Sequence, residues 1–394
     1  MKKILVVNKS FEAGGIQTSM VNLVNELQKE YQIDLFIYYP EGSIKERLNS
    51  TVRVLPTSWR FQAIGMPIQE VLKSKSLRLI LYRAFAVIWT KLFNNILPIR
   101  QAIKHQPKLC DYDIAIAFHQ EQRKHSVASG FTRVVDECVE SKKKVAWLHY
   151  DNTAIDLDSK FNNPFYKKMD KLVFVSRSLA QSFVKQFPAF KGKTDYCYNF
   201  IDYEDVIQMS KMAPRVQLQY GNFICFSACR LSREKAIVRA IHALKSVFLN
   251  HSEIRWYIAG DGPEKDAIKE AISEAHLGKQ IILIGYQKNP YSYMSRADVL
   301  INVSYHEAAP MVFLEAKAIG IPVFATHTAS AAELLQDGVD AFICENNEDG
   351  IRKRFEELIN HKYLIQSAKK VLQSNRINND SAVNMIRTWL EQGD

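Results

Sequence analysis

The stretch at residues 297–326 restricts most strongly what this chain can fold into. It begins with an apolar run at 297–304, which is typical of a strand buried in a parallel sheet. A loop with Glu307 follows, then a helical pattern that contains Glu315 and stops at Gly320, and then another apolar strand. This order predicts a doubly wound α/β sheet with Glu307 at the carboxyl end of a strand, the edge at which such sheets bind ligands.

The spacing of the two glutamates limits the chemistry that they can share. Glu307 and Glu315 are eight residues apart, which corresponds to about 12 Å along a helix axis. Two carboxylates at that separation cannot share a proton, but they can hold two ends of one extended ligand. The block therefore predicts a binding site for a molecule of the size of a nucleotide sugar.

The same block resembles the Glu-x7-Glu signature of retaining glycosyltransferases of family 4, which have the GT-B fold. The resemblance covers nearly the whole chain and is more specific in the C-terminal half. It implies an α/β protein with two Rossmann-like domains that face each other across a cleft. Residues 199–202, Asn-Phe-Ile-Asp, are similar to the Asn-x-Ile-Asp that ends the N-terminal domain of this family.

The length of the chain also favours two domains, because 394 residues are too many for one ordinary core. We expect an acceptor-binding Rossmann-like domain at 1–205 and a nucleotide-sugar-binding Rossmann-like domain at 206–380. The polar stretch at 203–220 is the expected linker. Residues 381–394 are expected to form a C-terminal helix that packs back on the N-terminal domain.

The composition and the cysteine spacing indicate a soluble globular protein without disulfides or a zinc site. The chain is 47% hydrophobic and 24% charged, which is typical of a soluble globular protein. The six cysteines are scattered without a Cys-x-x-Cys pair or zinc spacing, so we expect buried free thiols in a reducing compartment. The apolar run at 4–8 is too short for a signal peptide, and a cytoplasmic location is therefore expected.

The net charge of +10 favours an anionic partner, and a segment at 60–105 suggests which one. From 71 to 105 there are seven basic residues and no acidic one, interleaved with Leu, Phe and Trp. Charges at Arg78, Arg83 and Lys91 argue against a membrane-spanning helix, whereas the composition suits a helix lying on an anionic membrane surface. An amphipathic helix packed on the N-terminal sheet is the alternative. Nucleic acid is disfavoured because no recognised binding module accompanies the charge.

Two candidate sites lie in the N-terminal half. Gly14 and Gly15 follow the first predicted strand and open a helix, where backbone amides can face an anion, although such a pair most often marks only a tight turn. The family often carries a similar turn that faces the acceptor. His149 follows a strand at 144–148 and is similar to a family histidine that meets the donor sugar; a lone histidine is more often structural.

Arg230 and Lys235 flank a predicted strand-to-helix turn in the C-terminal half. Both cations can oppose the negative charge that builds on a leaving phosphate, although surface cations at such a turn are common. The turn is similar to the Arg-Leu-x-x-Glu-Lys of the family, which implies binding of the donor diphosphate. Glu234 is expected only to support the turn.

By the same resemblance, Glu307 faces the donor hexose and Glu315, expected in the first turn of its helix, binds the ribose hydroxyls. The turn at Gly285 and Tyr286 is similar to one that cups the nucleotide base, and Glu333 is expected to assist. The helix start is expected to contact the donor phosphates through Ala309, Pro310, Met311 and Val312.

One departure from the family concerns this helix start. Family members commonly have Glu-Gly-Phe-Gly where this chain has Glu307 followed by Ala-Ala-Pro. Pro310 donates no N–H and alanine restricts φ, so one backbone contact to the donor is expected to be lost or shifted.

The resemblance implies a retaining hexosyltransferase that uses a nucleoside diphosphate sugar, expected to be UDP-linked, and a hydroxyl of a lipid-linked or glycan acceptor in surface polysaccharide synthesis. No metal or other cofactor is expected, because the Asp-x-Asp at 156–158 has the surroundings of a surface loop. The alternatives are a non-catalytic GT-B partner subunit, which would have a degraded donor site, and a nucleotide-sugar epimerase, which would need no acceptor.

Overall fold

A computed structural model describes residues 1–149, 159–219, 223–375 and 378–391. The chain forms two compact units. The first unit comprises Met1–Phe200 together with Asp380–Asp394, and the second unit comprises Ile201–Asn379. The division after Phe200 lies slightly before the expected boundary at 205.

The first unit contains a parallel sheet, whose described strands run in the order β3-β2-β1-β4-β5-β6-β7. The strand at Lys3–Ser10 lies in the interior of this sheet and is apolar along most of its length. Its residues Ile4 through Val7 are fully buried, as expected of a strand covered on both faces. The strands are β1 (Lys3–Ser10), β2 (Gln32–Tyr39), β3 (Arg53–Val54), β4 (Leu109–Ala117), β5 (Val139–Leu148), β6 (Lys171–Phe174) and β7 (Thr194–Tyr196).

Helices connect these strands and cover the sheet. The basic segment at 60–105 forms four separate helices, α2 to α5. The helices of this part are α1 (Gly15–Leu27), α2 (Trp59–Gly65), α3 (Ile68–Lys73), α4 (Leu77–Leu92), α5 (Ile96–Lys104), α6 (Phe131–Glu137), α7 (Ser159–Tyr166) and α8 (Arg177–Gln186).

The second unit begins with a helix, α9 (Tyr203–Ser210), inside the stretch expected to be an irregular linker. The Asp202 carboxylate caps this helix by accepting from the backbone N–H of Asp205 at 3.0 Å. The described strands form a parallel sheet in the order β10-β9-β8-β11-β12-β13. They are β8 (Phe223–Ala228), β9 (Ile254–Ala259), β10 (Ile281–Gly285), β11 (Val299–Asn302), β12 (Val323–Thr326) and β13 (Ala341–Cys344).

Apolar helix faces cover both sides of this second sheet. One layer joins Ile241 and Phe248 with Trp256 and Phe355, and the other joins Phe226, Tyr293 and Phe313 with their neighbours. The helices are α10 (Ile237–Asn250), α11 (Lys265–Glu274), α12 (Tyr291–Met294), α13 (Met311–Ile319), α14 (Ala329–Leu334), α15 (Glu348–Asn360) and α16 (Tyr363–Ser374).

The last helix, α17 (Asp380–Glu391), belongs to the first unit. The indole N–H of Trp389 donates to the Asp195 carboxylate at 2.9 Å, and the Lys143 ammonium donates to the Trp389 carbonyl at 2.8 Å. The Trp389 ring also packs edge-on against Trp147. These contacts attach the C-terminal helix to strands β5 and β7.

Two general features of the chain bear on the expectations above. In the part of the chain that the structure describes, no helix is both long and apolar enough to cross a membrane. All six cysteines are free thiols, but Cys110 is exposed and Cys229 is half-buried, so the expectation of buried thiols is wrong for these two.

Candidate active site

The strand order of the second sheet places its candidate residues at one point. Numbered from β8, the order is that of dinucleotide-binding domains, and it reverses between the paired strands β8 and β11. The turn with Arg230 and Lys235 follows β8, and the loop with Glu307 follows β11. Both therefore leave the carboxyl edge of the sheet at the reversal, where sheets of this kind bind their ligands.

The turn after β8 lies directly on the turn after β9. The backbone N–H of Leu231 donates to the Asp261 carbonyl at 3.0 Å, and the N–H of Glu264 donates to the Leu231 carbonyl at 2.9 Å. A Cβ at Gly260 would come within 1.9 Å of the Cys229 carbonyl oxygen. The φ of Gly260 is +152°, so glycine is required both for the conformation and for the close approach.

Lys235 and Glu307 form an ion pair at this edge. The Lys235 Nζ lies 2.6 Å from Glu307 Oε1, and both side chains are largely buried. Burial acts to lower the pKa of Lys235, but the charge and hydrogen bond of Glu307 outweigh it and hold that pKa above its ordinary value. Lys235 is therefore a stable cation at neutral pH.

Two further side chains orient the Glu307 carboxylate. Its Oε1 accepts from the Ser304 hydroxyl at 2.6 Å and from the Asn302 amide at 3.3 Å. The loop itself is held by the Ser330 hydroxyl, which donates to the Glu307 carbonyl at 2.9 Å. None of these three residues was predicted from the sequence, although Asn302 and Ser304 end the same apolar run that predicted the strand.

Glu315 lies in the second turn of α13, not in the first turn as expected, because the helix begins at Met311. Its Oε1 accepts from the phenolic hydroxyl of Tyr291 at 3.0 Å. Tyr291 opens α12 and was not among the predicted residues; no local sequence signal connects it with Glu315. Glu307 thus pairs with Lys235, whereas Glu315 accepts from Tyr291.

The start of α13 offers backbone donors. The helix has no side-chain cap and no acidic residue in its first turn, so the positive end of the helix dipole is not compensated locally. Pro310 precedes the helix in an extended conformation and Ala309 lies before it, while Met311 and Val312 occupy the first turn. Since Pro310 has no N–H, the first backbone donor of this helix is Met311.

The remaining candidates of the second unit lie at the ends of other strands. Gly285 ends β10 with φ +69°, and the Tyr286 side chain that follows is 64% exposed. Glu333 lies in α14, after β12. The Glu234 carboxylate accepts from the Ser232 hydroxyl at 2.5 Å, which agrees with a supporting role in the turn. The Arg230 side chain is exposed, with no hydrogen bond to a described residue.

The candidates of the first unit lie at the corresponding edge of its sheet, where the strand order reverses between β1 and β4. Gly14 and Gly15 are exposed at the start of α1, which has no side-chain cap. Gly14 has φ 179°, an extended conformation open to any residue. The backbone N–H of Thr18 donates to the Gly14 carbonyl at 2.9 Å and closes the first helical turn.

His149 follows β5 and is buried, with 6% of its surface exposed. Its Nε2 donates to the Phe118 carbonyl at 3.2 Å, so the neutral ring carries its proton on Nε2 and leaves Nδ1 as an acceptor. Burial, with the neighbouring His119, lowers the pKa of His149 to about 3. The imidazole is therefore neutral at physiological pH and can accept a hydrogen bond from a hydroxyl, but it cannot supply positive charge.

The sequence contains one pair of candidate metal ligands. The Asp-x-Asp at 156–158 lies outside the described residues. Within the described ranges, no group of three or more His, Cys, Asp or Glu residues is arranged to hold a metal ion.

Comparison with known proteins bears on the second unit above all. Residues 210–378 match the family model described as glycosyl transferases group 1. The matched residues lie within the second unit and cover less than half of the chain. They include Arg230, Lys235, Glu307, Glu315 and Tyr291.

Two relatives of the chain have named activities. The chain is 28% identical over 224 residues to the N-acetylgalactosamine-N,N'-diacetylbacillosaminyl-diphospho-undecaprenol 4-alpha-N-acetylgalactosaminyltransferase of Campylobacter jejuni, covering 55% of this chain and 58% of that enzyme. It is 24% identical over 231 residues to the alpha-monoglucosyldiacylglycerol synthase of Acholeplasma laidlawii, covering 56% and 55%. The chain thus spans about half the length of the curated relatives that it matches.

A solved structure extends the likeness to the whole fold. The crystal structure of Anabaena HepE in complex with UDP and glucose superposes with a TM-score of 0.67 at 18% identity, covering 99% of each chain. The fold is therefore GT-B, with two parallel-sheet Rossmann-like domains.

Proposed function

We propose that this protein is a retaining glycosyltransferase that moves a hexose-type sugar from a nucleoside diphosphate sugar to an acceptor hydroxyl. The observation that carries the proposal is the Lys235–Glu307 pair at the reversal of the second sheet, inside the residues that match the group 1 model. A degraded donor site, as in a non-catalytic subunit, would lack this pair. The first unit is proposed to bind the acceptor and the second unit the donor.

The cations at this edge suit a leaving diphosphate. Lys235 is protonated, and the exposed Arg230 offers a planar fork of donors for phosphate oxygens. The first-turn N–H groups of α13, beginning with Met311, add donors at the positive end of a helix dipole. Donors that face the developing negative charge stabilise the transition state more than the ground state.

The two glutamates are proposed to hold the sugar end and the ribose end of the donor. Glu307, oriented by Ser304 and Asn302, faces the hexose and stabilises positive charge at the anomeric carbon. Glu315, oriented by Tyr291, accepts from the ribose hydroxyls. Retention is proposed to follow front-face attack, in which the leaving phosphate accepts the proton of the acceptor hydroxyl as the new glycosidic bond forms.

The comparisons support the choice of donor and acceptor class. HepE was crystallised with UDP and glucose, which favours a UDP-sugar. One named relative acts on a diphospho-undecaprenol-linked sugar, and the other is a synthase of alpha-monoglucosyldiacylglycerol; both names favour a lipid-linked or glycan acceptor in surface polysaccharide synthesis.

The surface of the first unit supports action at the inner face of an anionic membrane. Seven large apolar side chains are exposed on or beside α3 and α4: Ile68, Leu72, Leu77, Leu81, Ile88, Leu92 and Phe93. The α4 members recur at helical spacing on one face, while Tyr82, Ala86 and Thr90 are buried on the other. An exposed apolar stripe of this size needs a partner, and a bilayer surface is the one proposed.

The charges beside the stripe suit anionic lipid headgroups. Lys75, Arg78 and Lys91 are exposed, with no ion pair to a described residue. Two other cations of the segment have structural roles: Lys73 pairs with Glu70 at 2.8 Å, and Arg83 donates to backbone carbonyls of α2. The proposed membrane contact therefore uses only part of the basic segment.

A panel of nucleotide sugars tests the transfer. The purified protein is incubated with each donor, with and without extracted lipid-linked acceptors, and the products are resolved by mass spectrometry. Transfer that requires an acceptor and retains the anomeric configuration supports the proposal. Conversion of the donor sugar without an acceptor would show an epimerase, and neither reaction with any donor would favour a non-catalytic subunit.

A further inference from the structure

A pocket in the second unit lies beside the Lys235–Glu307 pair and has no role in the proposed transfer. It has a volume of about 280 Å³ and is formed by the starts of α10 and α15, the turn before α11 and Tyr305. Neither Lys235 nor Glu307 lines it. Small-molecule pockets span about 300–1,000 Å³, so this one suits a ligand with one or two rings.

Tyr305 provides a rigid aromatic wall. Its ring is 38% exposed, and the Arg239 guanidinium lies 4.0 Å from the ring centroid. Arg239 is itself fixed, because it donates to the Val303 carbonyl at 2.6 Å and to Asn346 Oδ1 at 2.8 Å. The Tyr305 backbone N–H donates to the Glu234 carbonyl at 2.9 Å. The ring is therefore held in place before any ligand arrives.

Four polar side chains around this ring have unused hydrogen-bonding groups. Arg233, His242, Glu264 and Glu348 line the pocket, and none of their side chains has a hydrogen bond or ion pair with a described residue. Free donors and acceptors that converge on one pocket are typical of a ligand site.

The charges of the lining indicate the class of ligand. Arg233 and Arg239 contribute two positive charges, and Glu264 and Glu348 contribute two negative charges. A phosphate or carboxylate would meet as much repulsion as attraction, whereas a sugar hydroxyl can donate to a carboxylate and accept from a guanidinium. The apolar face of a sugar ring can pack on the Tyr305 ring.

We propose that this pocket binds a neutral carbohydrate. Tyr305 lies two residues before Glu307 in the chain, and therefore belongs to the loop that carries the candidate sugar-binding glutamate. The inference concerns binding without a nucleotide, so it does not rest on the transfer reaction.

The experiment uses the purified full chain, without nucleotide, on an array of neutral, phosphorylated and sialylated glycans. We expect binding to neutral glycans and a loss of about tenfold or more in affinity for the His242→Ala/Glu348→Ala double variant, as expected from one or two lost hydrogen bonds. Both residues are exposed and unpaired, so this variant should fold normally. Tyr305→Ala should weaken binding similarly, and Tyr305→Phe should retain it.

Glu315→Ala is the matched control, because Glu315 does not line this pocket and its variant should bind the same glycans as the wild type. Three results would overturn the proposal. They are binding to phosphorylated or sialylated glycans only, binding to no glycan, and neutral-glycan binding that survives both the double variant and Tyr305→Ala. An inactive enzyme that still binds neutral glycans through these residues would leave this inference intact and contradict only the proposed transfer.

Discussion

Lys235 and Glu307 are 72 residues apart in the sequence, yet their side chains meet at 2.6 Å. The contact forms because their loops follow the paired strands β8 and β11. Without a donor, each charge compensates the other in a largely buried position. In the proposed reaction, the diphosphate of the donor takes over part of this pairing from Glu307, so we expect the two residues to have unequal roles.

We expect Lys235→Ala to lose both nucleotide binding and transfer, because it removes the buried cation that is proposed to face the diphosphate. Removal of one transition-state donor typically costs about 10²–10³ in kcat. Glu307→Gln should lose transfer to a similar extent but retain UDP binding, since Lys235 is then freed for the phosphates. Calorimetric titration with UDP and initial rates separate the two outcomes.

The same pair predicts a change in stability. Glu307→Gln leaves the Lys235 ammonium without its counter-charge, and the free energy of unfolding should fall by about 1–3 kcal/mol. Lys279→Ala, at an exposed position outside the site, serves as the control and should leave both stability and UDP binding unchanged. Equal losses of UDP binding in both site variants would contradict the separate roles.

The sequence predicted the parts of the site that are local. The apolar strand before Glu307, the helix with Glu315 and the turn with Lys235 each carry their pattern within about ten residues, and all three elements are present. The partners could not be predicted, because Tyr291 reaches Glu315 across 24 residues through the packing of α12 beside α13. Only the fold brings such groups together.

The basic segment at 60–105 also has contacts that could not be predicted from the sequence. Its composition predicted a lipid-facing helix, but it could not separate exposed cations from structural ones. Arg83 is a helical neighbour of the stripe, yet its guanidinium donates to the carbonyls of Ala63 at 3.0 Å and Ile64 at 2.6 Å. Those carbonyls are at the end of α2, whose position depends on tertiary packing.

Ala236 allows a test of the turn that carries Lys235. It has φ +54° and ψ 31°, in the left-handed region, at the start of α10. This conformation costs an L-residue roughly 1–2 kcal/mol, so Ala236→Gly should raise the free energy of unfolding by about 1 kcal/mol after the greater entropy of unfolded glycine is included. Urea denaturation measures the change.

Ala267→Gly is the matched control for this substitution. Ala267 is exposed and lies within α11, so the same chemical change should lower stability by up to about 1 kcal/mol. A decrease in stability for both variants would show that the left-handed conformation at Ala236 is not a source of strain.

The proposed membrane contact predicts that charged and apolar side chains affect the affinity for lipid vesicles in different ways. The Lys75→Gln/Arg78→Gln/Lys91→Gln triple variant should bind phosphatidylglycerol-containing vesicles on the order of 100-fold more weakly, since each cation near an anionic surface contributes about 1 kcal/mol. Leu81→Ser/Ile88→Ser should weaken binding to anionic and to neutral vesicles alike, because it removes inserted apolar area. Sedimentation with vesicles measures both.

Two controls match these membrane variants. Leu249→Ser changes an exposed apolar residue of the second unit, and should leave vesicle binding unchanged. Arg83→Gln should lower the stability of the first unit through the lost carbonyl contacts without changing the salt dependence of binding. Vesicle sedimentation that is the same for the wild type and the triple variant would leave α4 as an ordinary surface helix.

His149 predicts how stability depends on pH. Its pKa is lowered to about 3 in the folded protein, mainly by burial, whereas the pKa of an unfolded histidine is about 6.5. Between these values the unfolded chain binds one more proton, so stability is fully present above about pH 6.5 and is lost as the pH falls toward 3. From pH 6.5 to pH 5 the loss of stability should reach about 2 kcal/mol.

Denaturation at a series of pH values should show this slope in the wild type and in the exposed control His361→Gln, and a clearly smaller slope in His149→Asn. An equal slope in all three proteins would assign the acid sensitivity to other groups.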